Sequence, residues 1–216
     1  MPSTIASSVA TTADLTLHGL HLSGHCHKIE LLLHLLGLPY RFVDAPAEVR
    51  ASAGFRALNP LGQIPVLQDG DLVQSDSNAI LVYLAGRYAP DGGWLGADPV
   101  EAAAIQRWLS ISANEIKHGP AAARVICLWN GPGDLAQAQA LAQRTLAFIE
   151  QHLAGRDFLA AARPTVADLA CYSYLAHAPE GGVALAAYPA VRAWLRRVEA
   201  LPGFVPMPRS ALPAAA

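Results

Sequence analysis

The chain changes character at Asp91-Gly92-Gly93. Upstream, short β-branched and aromatic runs alternate with apolar stretches at helical spacing. Downstream, Ala-rich helical patterns follow one another without a β-branched run. A fold for this sequence must therefore join an α/β half to an all-helical half, and 216 residues suffice for two small domains sharing an interface. The expected division is a flexible leader at 1–13, a first domain at 14–90, a linker at 91–98 and a helical domain at 99–216.

Within the first domain, Asp14 to Leu17 reads as a strand that passes through Gly19 and Gly24 into a helix, Ile29 to Leu36, closed by Gly37. Tyr40-Arg41-Phe42-Val43 is a second strand, so a right-handed β-α-β unit opens the chain. After a short helix near Ser52 to Leu58, the turn Asn59-Pro60-Leu61-Gly62 delivers Ile64-Pro65-Val66-Leu67. Asp69-Gly70 then turns the chain into Leu72-Val73 as a hairpin. A helix over Ser77 to Tyr88 completes a β-α-β, β-β-α order, which is thioredoxin-like. Helices are expected downstream at Pro99 to Asn114, Pro120 to Trp129, Asp134 to Leu153, Thr165 to Ala178 and Pro189 to Leu201. Thr165 with Asp168 forms a capping-box variant, and Trp108 and Trp194 fall on apolar faces as core residues.

Composition excludes several functional classes. With 53% hydrophobic and 15% charged residues the chain is not disordered, and a formal charge of -2 provides no footprint for nucleic acid. The longest apolar stretch, Leu31 to Leu38, is interrupted by His34 and Gly37 and falls well short of the roughly 20 residues that cross a bilayer. The first basic residue is Lys28, so no secretory n-region is expected. Cys26, Cys127 and Cys171 fit neither a disulfide framework nor a paired zinc site, which points to a reducing, cytoplasmic location.

Three positions in the first domain carry chemistry. Ser23-Gly24-His25-Cys26 stands at the strand-to-helix junction where a thioredoxin-like fold presents a Cys-x-x-Cys pair, and the leading cysteine is replaced by Ser23. A dithiol mechanism lacks its nucleophile there. A hydroxyl at a helix N-terminus can instead donate to an anion such as a thiolate. A charge-assisted hydrogen bond contributes about 1.5 to 3 kcal/mol, and each 1.4 kcal/mol is about one pKa unit. The plainer role for Ser23 is a helix cap. At Ile64-Pro65, a cis bond would turn the Ile64 N–H and C=O outward to pair with a short peptide, whereas a trans proline would simply start an edge strand. Asp76-Ser77 opens a helix, with Ser77 as cap and Asp76 available for an ammonium group, or the pair is a cap and nothing more. His21, His25, His27 and Cys26 cluster in sequence without a familiar metal-ligand spacing, and no metal is expected. Cys26 is either a redox thiol or a buried, unreactive one.

The segments SGHCHKIELLLHLLGLPY, LNPLGQIPVL, DSNAILVYLAGRY, RPTVADLACYSYLAHAPEGGV and YPAVRAWLRRVEALPGF occur in order along nearly the whole chain. In this the sequence resembles the cytosolic glutathione transferase superfamily, particularly its bacterial serine-type members. The resemblance implies an α/β thioredoxin-like N-terminal domain with an all-α C-terminal domain, glutathione as cosubstrate, and a homodimer. Ser23 would activate the glutathione thiol. Ile64 with cis-Pro65 would hold the cysteinyl backbone, Gln63 would contact the backbone or glycyl end, and Asp76 with Ser77 would hold the γ-glutamyl group. Asp168 would be the buried helix-capping aspartate. Asn114, His118, Arg124 and Trp129 would lie where relatives hold a small hydrophobic electrophile, as pocket, surface or core residues. His25 departs from the Asn of related openings, leaving open a choice among transferase, peroxidase and disulfide-reductase activity. Arg50 and Arg56 are weak candidates for the glycyl carboxylate. A non-catalytic binding or regulatory module of the same fold is the rival reading.

Overall fold

A computed structural model describes residues 14–211; the leader expected at 1–13 lies outside them. The first half contains β1 (Leu15–Gly19), α1 (Gly24–Leu35), β2 (Tyr40–Asp44), α2 (Ala47–Ala51), α3 (Ala53–Leu58), β3 (Val66–Asp69), β4 (Leu72–Ser75) and α4 (Ser77–Tyr88). The sheet order is β2-β1-β3-β4, with β1 and β2 parallel and the other pairs antiparallel. Strand alternation divides the side chains between two faces. Leu15, Leu17 and Leu67 enter the main core, while Val66 joins Phe55 and Ala45 in a smaller cluster on the other face.

The second half is helical: α5 (Pro99–Ile111), a π-helical stretch (Ser112–Ala121), α6 (Ala122–Trp129), α7 (Leu135–His152), α8 (Val166–Ala176), a 3₁₀ turn (Ala178–Gly181) and α9 (Pro189–Glu199). α8 is buried almost throughout and packs against α1, α4 and α5. One hydrophobic core runs from Leu15 to Val198, with Trp108 and Trp194 inside it. Among the described residues no helix is long and apolar enough to cross a membrane.

One helix boundary differs from expectation. Pro120 does not start a helix. It lies inside the π-helical stretch that joins α5 to α6, where a wider turn accommodates a residue with no N–H to donate. The helix expected near Ser52 to Leu58 is α3, with Ser52 as its N-cap, and a separate short helix, α2, precedes it. The Ser52 hydroxyl accepts from the Phe55 N–H at 3.2 Å and donates to the Val49 carbonyl at 2.7 Å, closing α2 and opening α3 at once.

Asp168 ties the helical half together. Its carboxylate accepts from the Leu159 N–H, the Thr165 N–H and the Trp194 indole N–H, all at 2.9 Å and all buried. The Thr165 side chain closes the capping box on the Ala167 N–H. In Asp168→Ala three buried donors lose their acceptor, at about 1 to 3 kcal/mol for each group left bare. The expected loss is roughly 3 to 5 kcal/mol, within the range of broken buried networks. Urea denaturation measures it, and a loss below about 1 kcal/mol would contradict this account.

Candidate active site

Strand register gathers the sequence-derived candidates at one end of the sheet. Val66 pairs with His18 and with Ser75, so the start of β3, the end of β1 and the end of β4 lie side by side. Ile64-Pro65 therefore sits beside Gly19 and the loop leading to Ser23, and Asp76-Ser77 follows directly from β4. The Ile64–Pro65 bond is cis. Pro65 is buried, Ile64 half-buried, and Gln63 exposed with its carbonyl accepting from the Asn59 side chain at 2.9 Å.

Ser23 occupies the N-cap position of α1 with extended backbone, yet its side chain makes no capping hydrogen bond. Instead of capping, the hydroxyl bonds the side chains of Cys26 and Tyr174. Beneath it Cys26 is fully buried, and a methyl group on Gly19 would lie 2.7 Å from its Sγ. Burial pushes the Cys26 thiol up to about 11, outweighing hydrogen bonding from Ser23, so the thiol stays protonated at neutral pH.

His25 connects two of the candidate positions. Its Nδ1 lies 3.3 Å from the Ser77 Oγ, and its ring meets the Tyr174 ring edge-on with centroids 4.9 Å apart. Burial, then Lys28 and Lys117, lower its pKa to about 3, so the imidazole is neutral at physiological pH. The expected cap at α4 is corrected. Asp76, not Ser77, is the N-cap, because its Oδ1 accepts from both the Asn78 N–H (2.9 Å) and the Ala79 N–H (3.0 Å). Asp76 holds φ at 69°, a left-handed backbone rare outside glycine and concentrated at functional sites. Ser77 is thereby released from capping and buried against His25. Lys28, also buried, donates to Asn78 at 2.8 Å and binds the two helix starts together.

The helical half reaches into the same place. Arg124, 1% exposed, pairs through Nε with Glu180 and donates from Nη1 to the Leu22 carbonyl at 2.8 Å, one residue before Ser23. It is a strut for the loop and not a pocket wall. Asn114, His118 and Trp129 are exposed, and the Arg124 guanidinium lies 5.1 Å from the Trp129 ring centre. Tyr174 of α8 packs the hydroxyl end of its ring onto Gly24, where a methyl group would lie 2.8 Å from Cζ. Nothing in the local sequence singles out Arg124 or Tyr174 for these places, since both contacts join segments far apart in the chain.

The neighbouring histidines diverge. His21 stacks on Phe42 and meets Glu30 at 3.1 Å, whereas His27 lies 2.8 Å from both the Ser173 hydroxyl and the Val205 carbonyl. Among the described residues no group of three or more His, Cys, Asp or Glu side chains converges on one point.

Comparison with known proteins finds relatives along both halves of the chain. Residues 22–87 match the glutathione S-transferase N-terminal domain model and residues 133–202 the C-terminal domain model. Glutathione S-transferase 3 of Zea mays is 34% identical over 207 residues, covering 89% of this chain and 92% of the relative. Glutathione S-transferase theta-1 of Bos taurus is 28% identical, covering 85% and 82%. The crystal structure of a glutathione S-transferase from Pseudomonas fluorescens superposes with a TM-score of 0.83 at 33% identity, covering 89% of this chain and 98% of that one. The chain belongs to the glutathione S-transferase family.

The depressed histidine pKa values set a pH dependence. His25 and His27, lowered to about 3 and about 4, are neutral in the fold but take up protons near 6.5 once unfolded. The unfolded chain then binds more protons, so stability rises with pH across this window and is lost as pH falls below about 6.5. The decline from about pH 6.5 to about pH 5, followed by thermal unfolding, should be shallower in His25→Asn. Equal slopes in the two proteins would contradict the assignment.

Proposed function

We propose that this protein is a glutathione transferase in which Ser23 stabilises the thiolate of bound glutathione and the sulfur attacks a small hydrophobic electrophile. The observation that carries the reading is the Ser23 hydroxyl, placed at the mouth of α1 and making no capping bond to the backbone of the helix it begins. There it adds a donor to the positive end of a helix dipole. Glutathione is the cosubstrate, no metal takes part, and detoxification of electrophiles in the cytoplasm is the role this chemistry suits.

In this reading the peptide lies along the gathered strand ends. Ile64, before the cis bond, pairs its backbone N–H and C=O with the cysteinyl residue, and Gln63 contacts the peptide toward its glycyl end. Asp76 and Ser77 hold the γ-glutamyl group. The Asp76 Oδ1 is engaged in capping, so Oδ2 meets the ammonium. Neutral His25 orients Ser77 and does not act as a cation toward the sulfur. The thiolate forms the new carbon–sulfur bond as the leaving group departs with its electron pair, or as an adduct carbanion takes a proton from solvent. Cys26, buried and protonated, contributes no thiolate, which argues against a disulfide-reductase route through the protein's own sulfur.

The helical half supplies the electrophile's surroundings, and a second copy of the chain is the expected partner. An open groove of about 720 Å³ between α5 and α7, lined by Ile111, Leu141 and Phe148 with Arg107 and Arg144, is a surface such a copy could cover. Light scattering at the dimer mass would support this, and a monomer mass would remove it.

Ser23→Ala is expected to raise the pKa of the bound glutathione thiol by about one to two units, the equivalent of one charge-assisted hydrogen bond. At neutral pH, kcat/KM should fall about 10- to 100-fold. Ultraviolet titration of the thiolate band measures the shift. An unchanged pKa removes Ser23 from the mechanism, and calorimetry showing no glutathione binding by the unsubstituted protein favours a non-catalytic module.

A further inference from the structure

We infer that Tyr174 is a second catalytic hydrogen-bond donor to the glutathione sulfur, reaching it from α8 beside Ser23. The inference deepens the functional reading above and rests on it.

Tyr174 is placed by contacts that leave its hydroxyl little choice of direction. A methyl group on Gly24 would lie 2.8 Å from Cζ and 2.9 and 3.0 Å from the two Cε atoms, so the phenolic end of the ring, not its flank, rests on the first residue of α1. The ring edge is fixed by His25 at 4.9 Å, and His25 is held by Ser77. The phenol is hydrogen-bonded to the Ser23 hydroxyl and the His25 backbone N–H, the two groups that would receive an anion at this helix start. A buried phenol needs a polar partner, and here the Ser23 hydroxyl and the His25 backbone N–H supply it, so a sulfur arriving at the helix mouth would join a hydrogen-bond group that already contains the phenol.

The surroundings suit a donor. Burial, followed by the neighbouring Cys26, pushes the Tyr174 phenol up to about 12, so it carries its proton throughout the working range. Arg124 adds positive charge near the phenol while its Nη1 holds the Leu22 carbonyl that precedes Ser23. α8 is also pinned to α1 through Ser173 and His27 at 2.8 Å, which fixes the height of Tyr174 over the helix mouth. The sulfur would thus be held by one donor from each half of the protein, and thiol activation would depend on how the halves pack.

The test is Tyr174→Phe in the full chain, which keeps the ring on Gly24 and His25 and removes only the hydroxyl. Bound glutathione is titrated by its ultraviolet thiolate band, its Kd is measured by calorimetry above and below the thiol pKa, and turnover is followed with chlorodinitrobenzene. Loss of a donor should raise the bound thiol pKa by about one unit and lower kcat/KM about tenfold at neutral pH. Kd should weaken only where the thiolate is the bound form. A structural role would weaken binding equally at every pH, so that pattern, or an unchanged thiol pKa, overturns the inference while leaving Ser23 in place. If the unsubstituted protein binds no glutathione, the functional reading fails and this inference fails with it.

Discussion

The start of α1 is held from three directions, and the site depends on that grip. β1 delivers the chain to Ser23 from the sheet. α4 fastens the helix through His25 to Ser77 and Lys28 to Asn78. The helical half fastens it through Arg124 to Leu22, Tyr174 on Gly24, and His27 to Ser173. With its position fixed by these contacts, the helix does not use the Ser23 side chain as a cap, and the hydroxyl at the dipole's positive end bonds side chains instead.

The same logic recurs at α4. Asp76 takes over the capping of two backbone N–H groups from a left-handed backbone, and Ser77 is turned toward His25. In both helices a polar residue is withheld from local backbone duty. That costs some local stability, offset by packing between the halves, and it leaves donors organised before any ligand arrives. Preorganisation of this kind matters because donors already in place need not reorient when charge develops.

Much of the fold was legible in the sequence because its signals are local. The β-branched runs at Tyr40–Val43 and around Val66, the hairpin turn at Asp69-Gly70, and the Thr165/Asp168 box each act within a few residues, and the structure contains the corresponding elements. Pro120 misled because proline favours a first helical turn, and only tertiary packing decides when a helix continues through one in a wider register. At Asp76-Ser77 both residues are good caps, and backbone geometry, not residue type, chose between them. Arg124 was legible only as a possible pocket, surface or core residue, its tie to the Ser23 loop was not, and Tyr174 was not singled out at all. Their partners lie about 100 and 150 residues away in sequence, beyond the reach of any local pattern.

The proposed chemistry rests on a short list of placed groups: a Ser23 hydroxyl not used for capping, the Tyr174 phenol bonded to it, a neutral imidazole at His25 and a buried thiol at Cys26. The most direct measurement is a crystal structure of the protein soaked with glutathione. This account predicts the sulfur within hydrogen-bonding distance of the Ser23 Oγ, the cysteinyl backbone paired with Ile64, and the γ-glutamyl group at Asp76 and Ser77. A Ser23 hydroxyl that stays on Cys26 and Tyr174 with glutathione bound, or glutathione bound with its sulfur away from the mouth of α1, would contradict it.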